Sequence, residues 1–242
     1  MKMISSALRK YLIKQKKDFV RAFANPAQYP MGVINREDST KNIYGSTSYW
    51  DPKVRKKKCA FIREIRVGSE VYKEYWVAVK EKSSKNYRTW FKKFIQREYG
   101  VAFNTVPSEL QADHVLSRAF AEEVGIQYVR MAFIWNKYNT NSGWAVEQGF
   151  VDLARKEVNR KRMYLIDYSI IMKPLGIFPP KNVQDFQNQG GTIANKISKR
   201  ANINDPSLVL NHLTQFYDEK WYPVLLDDSK KRTRKKKKKK KK

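Results

Sequence analysis

In MISSALRKYLIKQKKDFVRAF (3–23) the apolar residues Ile4, Leu8, Tyr11, Leu12, Phe19 and Phe23 recur near helical spacing with Lys and Arg filling the gaps, so a basic amphipathic helix is expected within residues 1–25. From 26 to 54 the period lapses and Pro, Gly, Asn and Ser accumulate, which reads as a long ordered loop. Period two then appears. CAFIREIRV (59–67) and VYKEYWVAV (71–79) mix β-branched and aromatic residues with charges on either side of GSE, a hairpin pattern. YRTWFKKFIQREYG (87–100) returns to the helical period, with Trp90, Phe91, Phe94 and Ile95 apolar and Gly100 as the stop.

Further on, WAVEQGFVDLARKEVNRK (144–161) has a helical pattern, and MYLIDYSIIMKPLGIFPP (163–180) reads as a buried strand or a short helix ended by proline. Two more helical runs flank a turn at Asp205-Pro206. The expected organisation is a helix at 1–25, a loop segment at 26–54, an α+β core at 55–180, a helical appendage at 181–229 and a disordered polybasic tail at 230–242.

Composition adds a partner. With 41% hydrophobic and 13% aromatic residues in 242, the chain has enough to build a core. Lys and Arg outnumber Asp and Glu by 50 to 23, a net charge of +27, and the last thirteen residues hold twelve of the cations. Removing them still leaves +15, which calls for a polyanion, because each phosphate neutralised releases counterions. Nucleic acid comes first, DNA before RNA, and an anionic membrane surface second. Arg88, Lys92, Lys93, Arg97, Arg118, Lys137, Arg232 and Arg234 are the candidate phosphate contacts. The tail suits an anchor to nucleic acid, a nuclear-import signal or a basic export signal. A single cysteine, Cys59, rules out an intramolecular disulfide and a cysteine-built zinc site and points to a reducing compartment. No apolar run approaches the roughly 20 residues needed to span a bilayer. A soluble protein of the cytoplasm or nucleus is expected, or one exported without a cleaved signal peptide.

Chemistry gathers at QADHVLSRAF (111–120). Two readings compete. SELQ (108–111) fits a capping box, and a helix over 109–123 would align Ala112, Leu116, Ala119 and Phe120 and leave His114 in solvent. Alternatively, a strand ending at Asp113-His114 brings both side chains to one site. Phosphodiester hydrolysis needs a base for water and a divalent cation for the developing charge. Histidine, with its near-neutral pKa, suits the first task. Asp113 and Glu147 offer hard oxygens to Mg²⁺ or Mn²⁺. Asn139, in a turn of NTNSGWAVEQ (139–148), has an amide able to bond a histidine nitrogen or a backbone carbonyl. His212, on an apolar helical pattern, reads as a satisfied structural residue.

ADHV together with NTNSGWAVEQ resembles the HNH, or ββα-metal (His-Me finger), nuclease superfamily over residues 111–148. The resemblance implies a hairpin-plus-helix core with YVRMAFI as second strand, His114 as general base, Asp113 and Glu147 as metal ligands and Asn139 as the middle asparagine. It also implies a metal-dependent endonuclease of little sequence specificity. The alternative is a non-catalytic protein that coats or condenses nucleic acid.

Overall fold

The computed structural model describes residues 4–24, 29–41, 45–54, 58–80, 84–142, 163–165, 167–180 and 182–218 of the chain, and these form a mixed α/β fold. The helices are α1 (Ser6–Ala24), α2 (Ser84–Tyr99), α3 (Arg118–Glu123), α4 (Asn136–Ser142), α5 (Tyr168–Leu175), α6 (Val183–Ala201) and α7 (Pro206–Phe216). The strands are β1 (Pro30–Val33), β2 (Ser46–Trp50), β3 (Ala60–Val67), β4 (Glu70–Ala78), β5 (Leu110–His114), β6 (Tyr128–Trp135) and β7 (Met163–Leu165). Every described pairing is antiparallel, in the order β2-β3-β4-β6-β1-β7, with β5 joined to β6 off that path.

The expected hairpin is β3–β4, in register from Ala60↔Val77 to Val67↔Glu70. Gly68 closes its two-residue turn at φ +60°, a region that side chains with a Cβ enter at a cost. The segment 26–54 departs from expectation, because it contributes β1 and β2 to the sheet. Four or five residues are too few to display a period. β1 is also buried throughout, so its sequence has no alternation to show.

Strand β6 is the axis of the molecule. Its first residues pair with both β4 and β1, and residues from Met131 onward pair with β5. Its two faces feed two cores. Met131 and Phe133 meet Leu8 and Tyr11 of α1 and Phe91 and Phe94 of α2, whereas Ala132 and Ile134 meet apolar side chains of α5, α6 and α7. Each fully buried Phe or Leu contributes about 1.5–3 kcal/mol. Residues 183–216, expected as an appendage, therefore complete a core: Phe186, Ile193, Ile197, Val209, Leu213 and Phe216 all belong to it. Asp205-Pro206 is a helix start rather than a free turn, with the Asp205 carboxylate capping Ser207 and Leu208 N–H groups and proline at the first helical position.

Within the layers lies a buried ionic cluster. Arg63 Nε donates to Glu74 Oε2 at 2.6 Å and Arg63 Nη1 to the Ser39 carbonyl at 2.7 Å. Arg130 pairs with Glu74 at 2.9 Å and with Asp18 of α1. Burial pushes the Glu74 carboxyl up, and Arg130 and Arg63 more than reverse it, holding it below its usual range. Gln15 of α1 bonds both backbone groups of Phe133, at 2.8 and 2.9 Å, and so fixes α1 on β6. Among the described residues no helix is long and apolar enough to cross a membrane.

Candidate functional site

Residues 110–114 are a strand, not the first turn of a helix over 109–123. The capping box does not form, since Ser108 Oγ donates to the Glu109 carboxylate at 3.2 Å. Pairing with β6 wins: Leu110↔Trp135 through His114↔Met131 bury Leu110, Ala112 and His114 on one face and leave Gln111 and Asp113 half-buried on the other. Only the short α3 follows, capped by Ser117.

At the strand end the two faces are brought together by one carboxylate. Asp113 Oδ1 accepts the His114 backbone N–H at 2.9 Å and stands 3.6 Å from His114 Nδ1. The second distance is too long for a hydrogen bond, so the carboxylate acts on the ring through its charge. Asp113 Oδ2 accepts from the Asn139 amide. Asn139 lies on α4 rather than in a turn, and its partner is the aspartate rather than a histidine nitrogen or a backbone carbonyl. The chain leaving β6 passes directly into α4, which brings Asn139 within reach of Asp113 at the end of β5.

The His114 imidazole is 6% exposed. Its ring centre lies 4.4 Å from that of Tyr87 on α2, tilted by 52°, and its Nε2 has no hydrogen-bond partner among the described residues. Burial pushes the Asp113 carboxyl up, but the nearby His114 ring, the His114 backbone N–H and the Asn139 amide outweigh it and hold it at about 2. Asp113 is therefore ionised at any physiological pH.

Sequence reasoning missed two neighbours. Lys173 of α5 is 4% exposed, and burial lowers its ammonium to about 8 while the charge of Asp113 works the other way. Tyr87 is buried too, its hydroxyl raised by burial and then by Asp113, and lowered by Arg88 and Arg118. A lone lysine inside the apolar run 163–180 was the available signal for the first. Nothing in the sequence singled out the second.

The candidate cations separate by place. Arg88 is exposed beside Tyr87, and Arg118 is half-buried at the start of α3. Lys92 is half-buried and Lys93 exposed on α2, and Lys137 is exposed on α4 with its Nζ 4.9 Å from the Tyr138 ring. Arg97 is already engaged, 2.7 Å from Glu98 and 3.5 Å from Asp51. His212 is exposed on α7 rather than satisfied within the core. Glu147, Arg232, Arg234, the expected helix at 144–161 and the polybasic tail lie outside the described residues.

For a divalent cation, Asp113 is a hard, ionised oxygen donor of the kind Mg²⁺ takes singly or in pairs, with water and substrate phosphate completing the shell. Among the described residues no group of three His, Cys, Asp or Glu side chains converges. Both Asp113 oxygens already accept hydrogen bonds, from the His114 backbone and the Asn139 amide. No family model matches the chain, and neither a curated protein nor a solved structure is similar to it at a significant level.

Proposed function

We propose that the chain hydrolyses phosphodiester bonds in nucleic acid, DNA in the first place, with His114 as general base. One observation carries the reading: a strand-end imidazole whose Nδ1 faces a carboxylate fixed by Asn139 and whose Nε2 is left without a partner. In this reading Nε2 takes a proton from water as the water oxygen bonds to phosphorus and the bond from phosphorus to the leaving sugar oxygen breaks. The charge of Asp113 steadies the imidazolium that results. Asp113, joined by Glu147 if the nuclease resemblance holds, would hold Mg²⁺ or Mn²⁺, which supplies positive charge for the phosphate. The surplus of cations positions the strand without reading its bases.

A second reading, a non-catalytic nucleic-acid binder, is favoured by the depth of His114. Plasmid incubated with the protein and Mg²⁺ or Mn²⁺ separates the two. Nicked or linear product that EDTA and His114→Ala both abolish supports the hydrolase. Retarded but intact DNA under every metal condition supports the binder and overturns the hydrolase.

A further inference from the structure

At the other end of the β5–β6 ladder from His114 the fold encloses a cavity of about 580 Å³. Its walls are Trp135 at the end of β6, Tyr138 of α4, Ile4 just before α1, and Pro107 and Glu109 leading into β5. Backbone bonds hold those walls in place. Asn136 N–H donates to the Glu109 carbonyl at 2.7 Å, and Leu110 N–H to that of Pro107 at 3.1 Å. Ser5 Oγ, beside Ile4, bonds Thr105 Oγ1 at 3.2 Å. The Tyr138 ring is seated as well. Its centre lies 4.6 Å from that of Phe178, which is 47% exposed. Beneath it Gly176 closes α5 at φ +67°, where a Cβ would come within 3.1 Å of the ring.

We propose that this cavity takes one base of a single nucleic-acid strand, held by its π-face against Trp135 and Tyr138. The class of ligand rests on the nucleic-acid reading above, but not on hydrolysis. A net charge of +27 draws a polyanion to the chain. Of that polyanion only the base suits this cavity, because half-buried Ile4, Pro107, Trp135 and Tyr138 make most of its wall and the carboxylate of Glu109 repels phosphate. Its size is that of a ligand pocket, and aromatic side chains take any base, since every base has a π-face. A paired base has its faces covered by its neighbours in the duplex, so the strand must be single or locally opened. The position also fits the site. Trp135↔Leu110 stands four rungs from Met131↔His114, about 13 Å along the strands, so a base seated here leaves the following backbone to run toward His114.

The test compares two labelled single strands of equal length, one of thymidines and one of abasic residues, binding to the full chain in EDTA so that cleavage plays no part. Both carry the same phosphates, so they differ only in what the cavity is proposed to hold. Wild type is expected to bind the thymidine strand about 5- to 100-fold more tightly, the worth of one or more stacked bases. Tyr138→Ala should remove most of that preference and bind the abasic strand as wild type does, which also shows that the variant is folded; Tyr138→Phe, which keeps the ring, should retain it. Ile4→Trp, which fills the cavity without removing an aromatic wall, should lose the preference too. The proposal is overturned if wild type binds both strands alike, or if Tyr138→Ala or Ile4→Trp keeps the full preference. Aromatic walls beside a carboxylate also attract organic cations. Saturable binding of tetramethylammonium that Tyr138→Ala abolishes, with the two strands bound alike, would assign the cavity to a cation and overturn the base. If the preference is found and lost as expected while wild type cuts nothing, the cavity stands and the hydrolase reading falls. Cleavage by a protein that binds both strands alike gives the reverse.

Discussion

Two buried polar clusters lie one residue apart on β6 and are built on opposite terms. Around Arg130, two arginines face two carboxylates, Glu74 and Asp18, and the charges cancel. Around Met131, the partner of His114, one carboxylate faces a buried lysine, with two arginines nearby and an imidazole nitrogen left over. The first cluster joins α1, β3, β4 and β6 by ion pairs. The second lies where a strand stops, and joins the end of β5 to α4 through hydrogen bonds to one carboxylate.

The contrast can be broken from either side. The largest effect is expected at His114, where His114→Ala should lower cleavage by roughly 10² to 10⁴ while DNA affinity stays near wild type; cleavage at the wild-type rate would falsify its role as base. Glu74→Ala leaves Arg63 and Arg130 buried without their shared partner and should cost about 3–5 kcal/mol in urea unfolding. Lys173→Met goes the other way: with an ammonium lowered from 10.5 to about 8 by burial, the variant should gain about 2–3 kcal/mol at neutral pH, as measured by the same unfolding experiment. The sign carries over to pH. Between about 8 and 10.5 the unfolded chain binds a proton that the folded one releases, so wild-type stability should rise with pH through that window, and Lys173→Met should flatten it. Asn139→Ala should remove about 1–3 kcal/mol, since it leaves the Asp113 carboxylate one donor short. Last, Arg97→Ala on the surface of α2 should change stability by no more than about 1 kcal/mol.

What the sequence showed follows the length and symmetry of its patterns. α1, α2 and the β3–β4 hairpin are long enough for period 3.6 or period 2 to be visible, and they stand as expected within a few residues. β1 and β2 are short and set among Pro, Ser and Gly, so pairing with distant strands decides them rather than local propensity. Residues 109–123 show the same competition: the capping box argued for helix, and the ladder to β6 made a strand of 110–114. At the site, Asp113, His114 and Asn139 stood out by residue type, and the fold brings the three together. Tyr87 and Lys173 look like any aromatic or basic residue until the fold buries them beside Asp113.

The shared strand also sets a timetable. β6 is tied to partners made long before it, 54 residues back for Trp76 with Arg130 and 97 for Gly32 with Val129, and contacts so far apart close late in folding. His114 itself waits only 17 residues for its partner Met131, but the strand that carries Met131 is seated in the sheet only once those distant pairings close.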